Sequence, residues 1–118
     1  MPELDLKRRR LEYRQNLENA LESIIYQFSE MPEILKVVLF GSYAAGRRDL
    51  FTDLDLIVVM DTSQDFIHRT TELYRKLQTK VDLDLLVYTP DEFKDFRENG
   101  FLSHAIETGK VIYEKKRA

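Results

Sequence analysis

Asp53 and Asp55 open an otherwise apolar run, Asp53–Met60, in which Ile57, Val58 and Val59 have the character of a buried central strand. Strand side chains alternate faces, so the two carboxylates share one face while Leu54 and Leu56 take the other. Carboxylates held side by side repel each other unless a cation sits between them. Hard divalent ions such as Mg²⁺ take that kind of oxygen ligand, usually together with substrate phosphates. Upstream, Leu35–Phe40 predicts another buried strand, broken at Gly41-Ser42. Backbone N–H groups are unpaired where a chain leaves a strand to begin a helical turn, and they can receive an anion. Glycine also tolerates the close approach and positive φ that a phosphate there demands. Alone, a Gly-Ser pair is an ordinary turn and an Asp-x-Asp a solvated strand end. Together they put a phosphate cradle beside a metal clamp.

Gly-Ser, ten residues, then Asp-x-Asp (Gly41, Ser42, Asp53, Asp55) resembles the signature of the nucleotidyltransferase superfamily that includes DNA polymerase beta. The chain is most similar to its smallest members, the minimal nucleotidyltransferases, over roughly residues 34–113. The resemblance implies a third carboxylate on a later strand. Asp84, six residues before Pro90 in KVDLDLLVYTP, fits that place. Many relatives carry Arg where this chain has Ala45, which leaves Arg47 and Arg48 as the candidates for its phosphate contacts.

The elements that must position these groups follow from pattern. Residues 5–30 predict one long helix, with Leu17, Ala20, Leu21, Ile24, Ile25 and Phe28 at helical spacing and Pro32 closing it. Its start is polar, and Lys7–Arg10 reads as a solvated basic cluster that projects beyond the core. Tyr43–Ala45 predicts one helical turn stopped by Gly46, and Phe51 is expected to tuck into the core. Thr62 followed by Asp65 resembles a capping box, predicting a helix over 63–79 with Phe66, Thr70, Leu73, Tyr74 and Leu77 on its apolar face and His68 at the surface. A third strand is expected over Val81–Tyr88, with Asp82 and Asp84 on one face and Asp82 the more exposed. Thr89-Pro90-Asp91-Glu92 is a well-formed helix start. That helix is expected to stop near Asn99-Gly100, and another to cover 101–108. Phe93, Phe96, Phe101, Leu102 and Ile106 are expected core, His104 packed or exposed, Val111–Tyr113 a short edge strand and Lys115–Arg117 a frayed tail.

Helices alternating with strands predict an α/β fold: a small mixed β-sheet flanked by helices. The expected organisation is one unit, residues 34–118, with residues 1–33 as a helix packed on it. The 118 residues carry 43% hydrophobic and 33% charged side chains, which suits a globular chain. The net charge of −3 argues against a free nucleic-acid binder. No stretch approaches a membrane span, and MPELDLKRRR lacks the apolar core of a signal peptide. There is no cysteine, so disulfides and thiolate chemistry are excluded and a cytoplasmic setting is the default.

The resemblance implies metal-dependent transfer of a nucleoside monophosphate from an NTP, ATP first, to a hydroxyl. Gly41 and Ser42 would hold phosphates. Asp53 and Asp55 would bind Mg²⁺ or Mn²⁺, and Asp84 would help hold a second ion or take the hydroxyl's proton. A domain this small does not enclose a large acceptor, so the acceptor site is expected from another chain, either a second copy or a separate protein. Minimal nucleotidyltransferases resemble the antitoxin half of toxin–antitoxin pairs, which implies a helical HEPN-type toxin as partner and one of its tyrosines as the AMP acceptor. The competing expectation is an idle nucleotidyltransferase-like module that docks a helical partner, and Ala45 is the feature in its favour. A polymerase fragment is disfavoured by the acidic charge.

Overall fold

Among the described residues of the computed structural model, 2–49 and 52–116, four strands form one mixed sheet. The strands are β1 (Ile34–Phe40), β2 (Leu54–Met60), β3 (Leu83–Tyr88) and β4 (Lys110–Glu114), in the order β3-β2-β1-β4. β1 pairs antiparallel with β2 and β4, and β2 pairs parallel with β3. The helices are α1 (Pro2–Ser29), α2 (Gly41–Ala44), α3 (Phe66–Lys76), α4 (Pro90–Phe96) and α5 (Gly100–Thr108). No helix among the described residues is long and apolar enough to cross a membrane.

Strand alternation sorts the side chains onto two unequal faces. Val37 and Leu39 of β1, Leu54, Leu56, Val58 and Met60 of β2, and Leu85 and Val87 of β3 meet Leu17, Ala20, Ile24 and Phe28 of α1 and Leu73 of α3 in the main core. Leu17, Ile24 and Phe28 are wholly buried, and burial of each such side chain contributes about 1.5–3 kcal/mol. The opposite face is thinner: Val38 and Ile57 against Leu102 and Ala105 of α5, ringed by Phe40, Leu86, Tyr88, Phe93 and Ile106. By alternation Asp55 and Asp84 lie on this thinner face, two residues before Ile57 and Leu86.

The α1 stripe lies as its spacing predicts, but only from Leu17 on; residues 3–12 are exposed along one end of a molecule 54 Å long and 30 Å wide. Four boundary expectations are corrected. α3 begins at Phe66, not 63, because the Asp65 carboxylate accepts from the His68 N–H at 2.8 Å and so caps it; Thr62 only closes a turn with the Gln64 N–H. The helix ends at Lys76. α4 stops at Phe96, and Asn99 starts α5 rather than ending α4, its side chain accepting from the Leu102 N–H. β3 begins at Leu83, with Val81 buried ahead of it. The Thr89 capping box is formed as predicted, reciprocally with Glu92.

The inward face of α3 also differs from its periodicity. Phe66 and Tyr74 are about half exposed, whereas Arg69 is buried. Its guanidinium donates to the carbonyls of Val87 and Gln64 and pairs with Glu92, so the start of α3 is tied to the start of α4. Phe96 and Phe101 are exposed rather than core, since the thin face supplies too little cover; Phe101 meets Phe40 edge-on at 6.0 Å. Lys115, expected to fray, donates from Nζ to the Pro32 carbonyl. Phe51 and Arg117 lie outside the described residues.

Candidate active site

The site forms where β1 ends and β2 and β3 begin. Phe40, the last residue of β1, pairs with Asp55, and Asp55 pairs with Asp84 across the parallel β2–β3 ladder. In-register neighbours on one face put their side chains close together. The Asp55 carboxyl is accordingly pushed up to about 6 from the usual 3.8. Burial is the largest cause, followed by a hydrogen bond with Asp84, the Asp84 charge and the Asp53 charge. Two carboxylates this near disfavour each other's charge, and a cation between them relieves the repulsion.

Asp53 stands just ahead of β2 and acts on Asp55 by charge rather than by contact. Among the described residues no three carboxylate or imidazole groups form a metal cage by themselves. A donor set of two adjacent carboxylates with a third nearby still fits a hard divalent ion, because such ions keep waters and substrate phosphates as their other ligands. Asp84 is exposed, and Asp55 and Asp53 are half-buried, so the rim is open to solvent. Asp82 is exposed too; its carbonyl accepts from the Leu54 N–H and so holds the start of β2.

Gly41 abuts this pair. Its φ of +76° belongs to the left-handed region, and a Cβ there would overlap the Asp55 carboxylate. The motif glycine is thus required twice, by backbone and by space. α2 has no side-chain cap, its N-cap position being Phe40, so no capping side chain takes up its first N–H groups, which start beside Asp55. Gly46, at φ +102°, ends the turn as predicted.

The two arginines are placed differently. Arg47 is exposed and pairs with Asp49 at 2.6 Å, a contact of the kind worth little in water and easily exchanged for a phosphate. Arg48 stacks 3.4 Å over the ring of Tyr43 and donates to the carbonyls of Tyr43 and Arg47. It braces α2 rather than reaching the carboxylates. Ala45 is exposed. His68 pairs with Asp65 at the surface, and His104 is exposed on α5.

Two supports escaped the motif. Thr52 is fully buried, exchanging hydrogen bonds with Asp49 while its carbonyl accepts from the Tyr13 hydroxyl at 2.8 Å. Burial first, then the charges of Asp53, Asp82 and Asp49, push the Tyr13 phenol above its usual range. Tyr13 lies one turn before Leu17 on the inward stripe of α1, the one sequence signal that could have found it.

Comparison with known proteins agrees with this fold. The family model described as polymerase beta nucleotidyltransferase matches residues 22–118. A chain of Methanocaldococcus jannaschii described as a putative protein adenylyltransferase is 32% identical over 82 residues, 68% of this chain and 79% of its own. Among solved structures, a putative nucleotidyltransferase from Sulfolobus solfataricus superposes with a TM-score of 0.60 at 19% identity, covering 90% of this chain and 87% of that one. A toxin–antitoxin complex with AMP-PNP contains a chain that superposes with a TM-score of 0.54 at 24% identity, covering 81% and 74%. At these identities the two superpositions establish the shared fold.

Proposed function

Because this chain belongs to the polymerase beta nucleotidyltransferase family, an enzyme class that transfers nucleoside monophosphates, we propose that it moves AMP from ATP to a hydroxyl of a partner protein. The observation that carries the reading is the Asp55–Asp84 pair, facing each other beside the uncapped Gly41-Ser42 turn. ATP would rest its β- and γ-phosphates on the N–H groups of that turn, with Arg47 released from Asp49 to meet them. Asp53 and Asp55 would hold a divalent ion, Mg²⁺ or Mn²⁺, with Asp84 sharing in a second. Such ions, when bound, neutralise the charge that builds on the phosphate oxygens during transfer.

The chain's own contribution is positioning. The β2–β3 ladder holds Asp55 and Asp84 rigid, Gly41 lets the phosphate turn approach them, and Tyr13 and Thr52 fix the loop that presents Asp53. Asp84 is also suited to take the proton from the attacking hydroxyl, since it is the most exposed of the three. A helical HEPN-type partner offering a tyrosine is the proposed acceptor, in keeping with the adenylyltransferase description of the M. jannaschii relative and the toxin–antitoxin setting of a structural neighbour. Residues 34–118 are the proposed transferase unit, with residues 1–33 as a helix packed on it, and the cytoplasm, where ATP is made, is the proposed setting.

One observation favours a second reading, an idle module that only docks its partner. Of the two arginines able to stand in for an arginine at Ala45, Arg48 is held on the Tyr43 ring and two carbonyls, which leaves Arg47 alone for the phosphates. Titration calorimetry with ATP, with and without Mg²⁺, separates the two, since an idle module gives no metal-dependent heat. For the enzyme, transfer of label from α-³²P-ATP should fall at least about 100-fold in Asp53→Asn while the fold persists. Transfer by that variant at the parent rate would sink the assignment.

A further inference from the structure

On α1 the inward stripe of Leu17, Ile24 and Phe28 runs back through Arg14, Arg10 and Lys7 at the same three-four spacing. The helix face that packs on the core therefore turns cationic where the core ends, and it overhangs the loop after α2. Between them lies a cleft of about 340 Å³ lined by Arg10, Leu11, Arg14, Gly46, Arg48 and Asp49. Three arginines and one aspartate line it; Arg48 is stacked on Tyr43, and Asp49 already accepts from Arg47 and Thr52. Arg10 and Arg14, one turn apart, repel each other, and within the helix only Arg14 has a carboxylate one turn further on, Glu18. Leu11, 65% exposed, adds an apolar wall.

We propose that this cleft docks a short acidic segment of the protein acceptor. Guanidinium groups suit carboxylates, which they can hold through paired hydrogen bonds. The cleft also adjoins the site, because Tyr13, on the same turn of α1, is hydrogen-bonded to Thr52, the residue before Asp53. A segment held there leaves a neighbouring hydroxyl close to the proposed transfer centre. A nucleic-acid strand is the poorer occupant. The rim beside the cleft carries Asp53, Asp55, Asp82 and Asp84, and the whole chain is acidic at −3. A long polyanion leaving the cleft would run into those carboxylates.

The purpose assigned to the bound segment rests on the transfer reading; its binding does not. The test is therefore made on the full chain, labelled with ¹⁵N, without nucleotide or metal. A capped Glu-Glu-Leu-Glu-Glu peptide should shift the Gly46 and Leu11 amides saturably. The R10A/R14A variant should bind it at least about tenfold more weakly, the loss expected for two charge-assisted contacts. Asp53→Asn should bind it as the parent does, and the metal-dependent heat of ATP binding should be unchanged in R10A/R14A. Absence of saturable shifts, equal binding by R10A/R14A, or tighter binding of an octauridylate RNA would overturn the proposal. So would displacement of the peptide by Mg-ATP, which would assign the cleft to the nucleotide's own phosphates. If ATP gives no metal-dependent heat yet the peptide binds, the transfer reading fails and the docking site stands.

Discussion

Replacing Asp84 with Asn should make the metal-free protein more stable at neutral pH while destroying its activity. A carboxyl titrating near 6 in the folded chain, against the ordinary 3.8, disfavours the folded state once it is ionised. Each pH unit between the two values corresponds to 1.36 kcal/mol, so the difference amounts to about 3 kcal/mol; solvent reaching the half-buried group reduces it to about 1.5 kcal/mol. The sign follows from the raised value. The penalty is fully present above about 6, fades as pH falls, and is gone below the unfolded value near 3.8. Asp84 supplies the second and third of the four causes, whereas burial and Asp53 remain after its removal. Asp84→Asn should therefore recover roughly half, about 0.7 kcal/mol, or about 3 °C in Tm for a chain of this size. Thermal melts of both proteins in EDTA from pH 8 to pH 4 read it directly. The variant should melt higher at pH 8, and the gap should close towards pH 4. Mg²⁺ should then raise the Tm of the parent more than that of the variant, which keeps Asp53 and Asp55 but lacks the carboxylate that shares in a second ion; only an ion bound to the folded state stabilises it. A variant that melted at or below the parent at pH 8, with a parallel pH profile, would refute the pairing of the two carboxylates.

Gly41→Ala combines a left-handed φ with a Cβ inside the Asp55 carboxylate; it should lower stability by about 1–3 kcal/mol in urea titration and abolish label transfer, by displacing Asp55. Glu92→Gln removes the charge that answers the buried Arg69 and weakens the Thr89 capping box; a loss of about 2–4 kcal/mol is expected, with an unchanged m-value and parent-like binding of Mg-ATP.

The parts legible in the sequence are those decided by near neighbours. The Asp-x-Asp alternation needs only the strand repeat of two, and the Thr89 cap needs only a threonine, a proline and a glutamate within four residues. What stayed hidden depends on contacts made across the fold. Nothing near Arg69 in sequence announces that it will be buried; its partners Val87 and Glu92 lie 18 and 23 residues on. Thr62 looks like the cap and Asp65 like its box partner, yet Asp65 is the side chain that meets the free N–H of the helix in the final geometry. Asn99 could end one helix or start the next, and packing of Leu102 and Ala105 on the sheet selects the second. Phe101 looks like core until the thinness of its sheet face is known.

The same contrast explains why the site motif is short yet sufficient. Gly41 and Asp55 are fourteen positions apart, but the antiparallel β1–β2 register seats Phe40 opposite Asp55, so the next residue must pass over that carboxylate. Only a residue without a side chain can do so, and only one comfortable at positive φ can turn there. The spacing between glycine and aspartate thus records the length of loop needed to bring β2 back alongside β1. Asp84 then needs no spacing rule of its own, because the parallel ladder places it beside Asp55 whatever lies in the α3 crossover. A variant that lengthened the 77–82 connection and kept the β2–β3 register should therefore retain the Asp55–Asp84 pair, whereas a residue inserted between Phe40 and Gly41 should put a side chain over the Asp55 carboxylate and abolish label transfer.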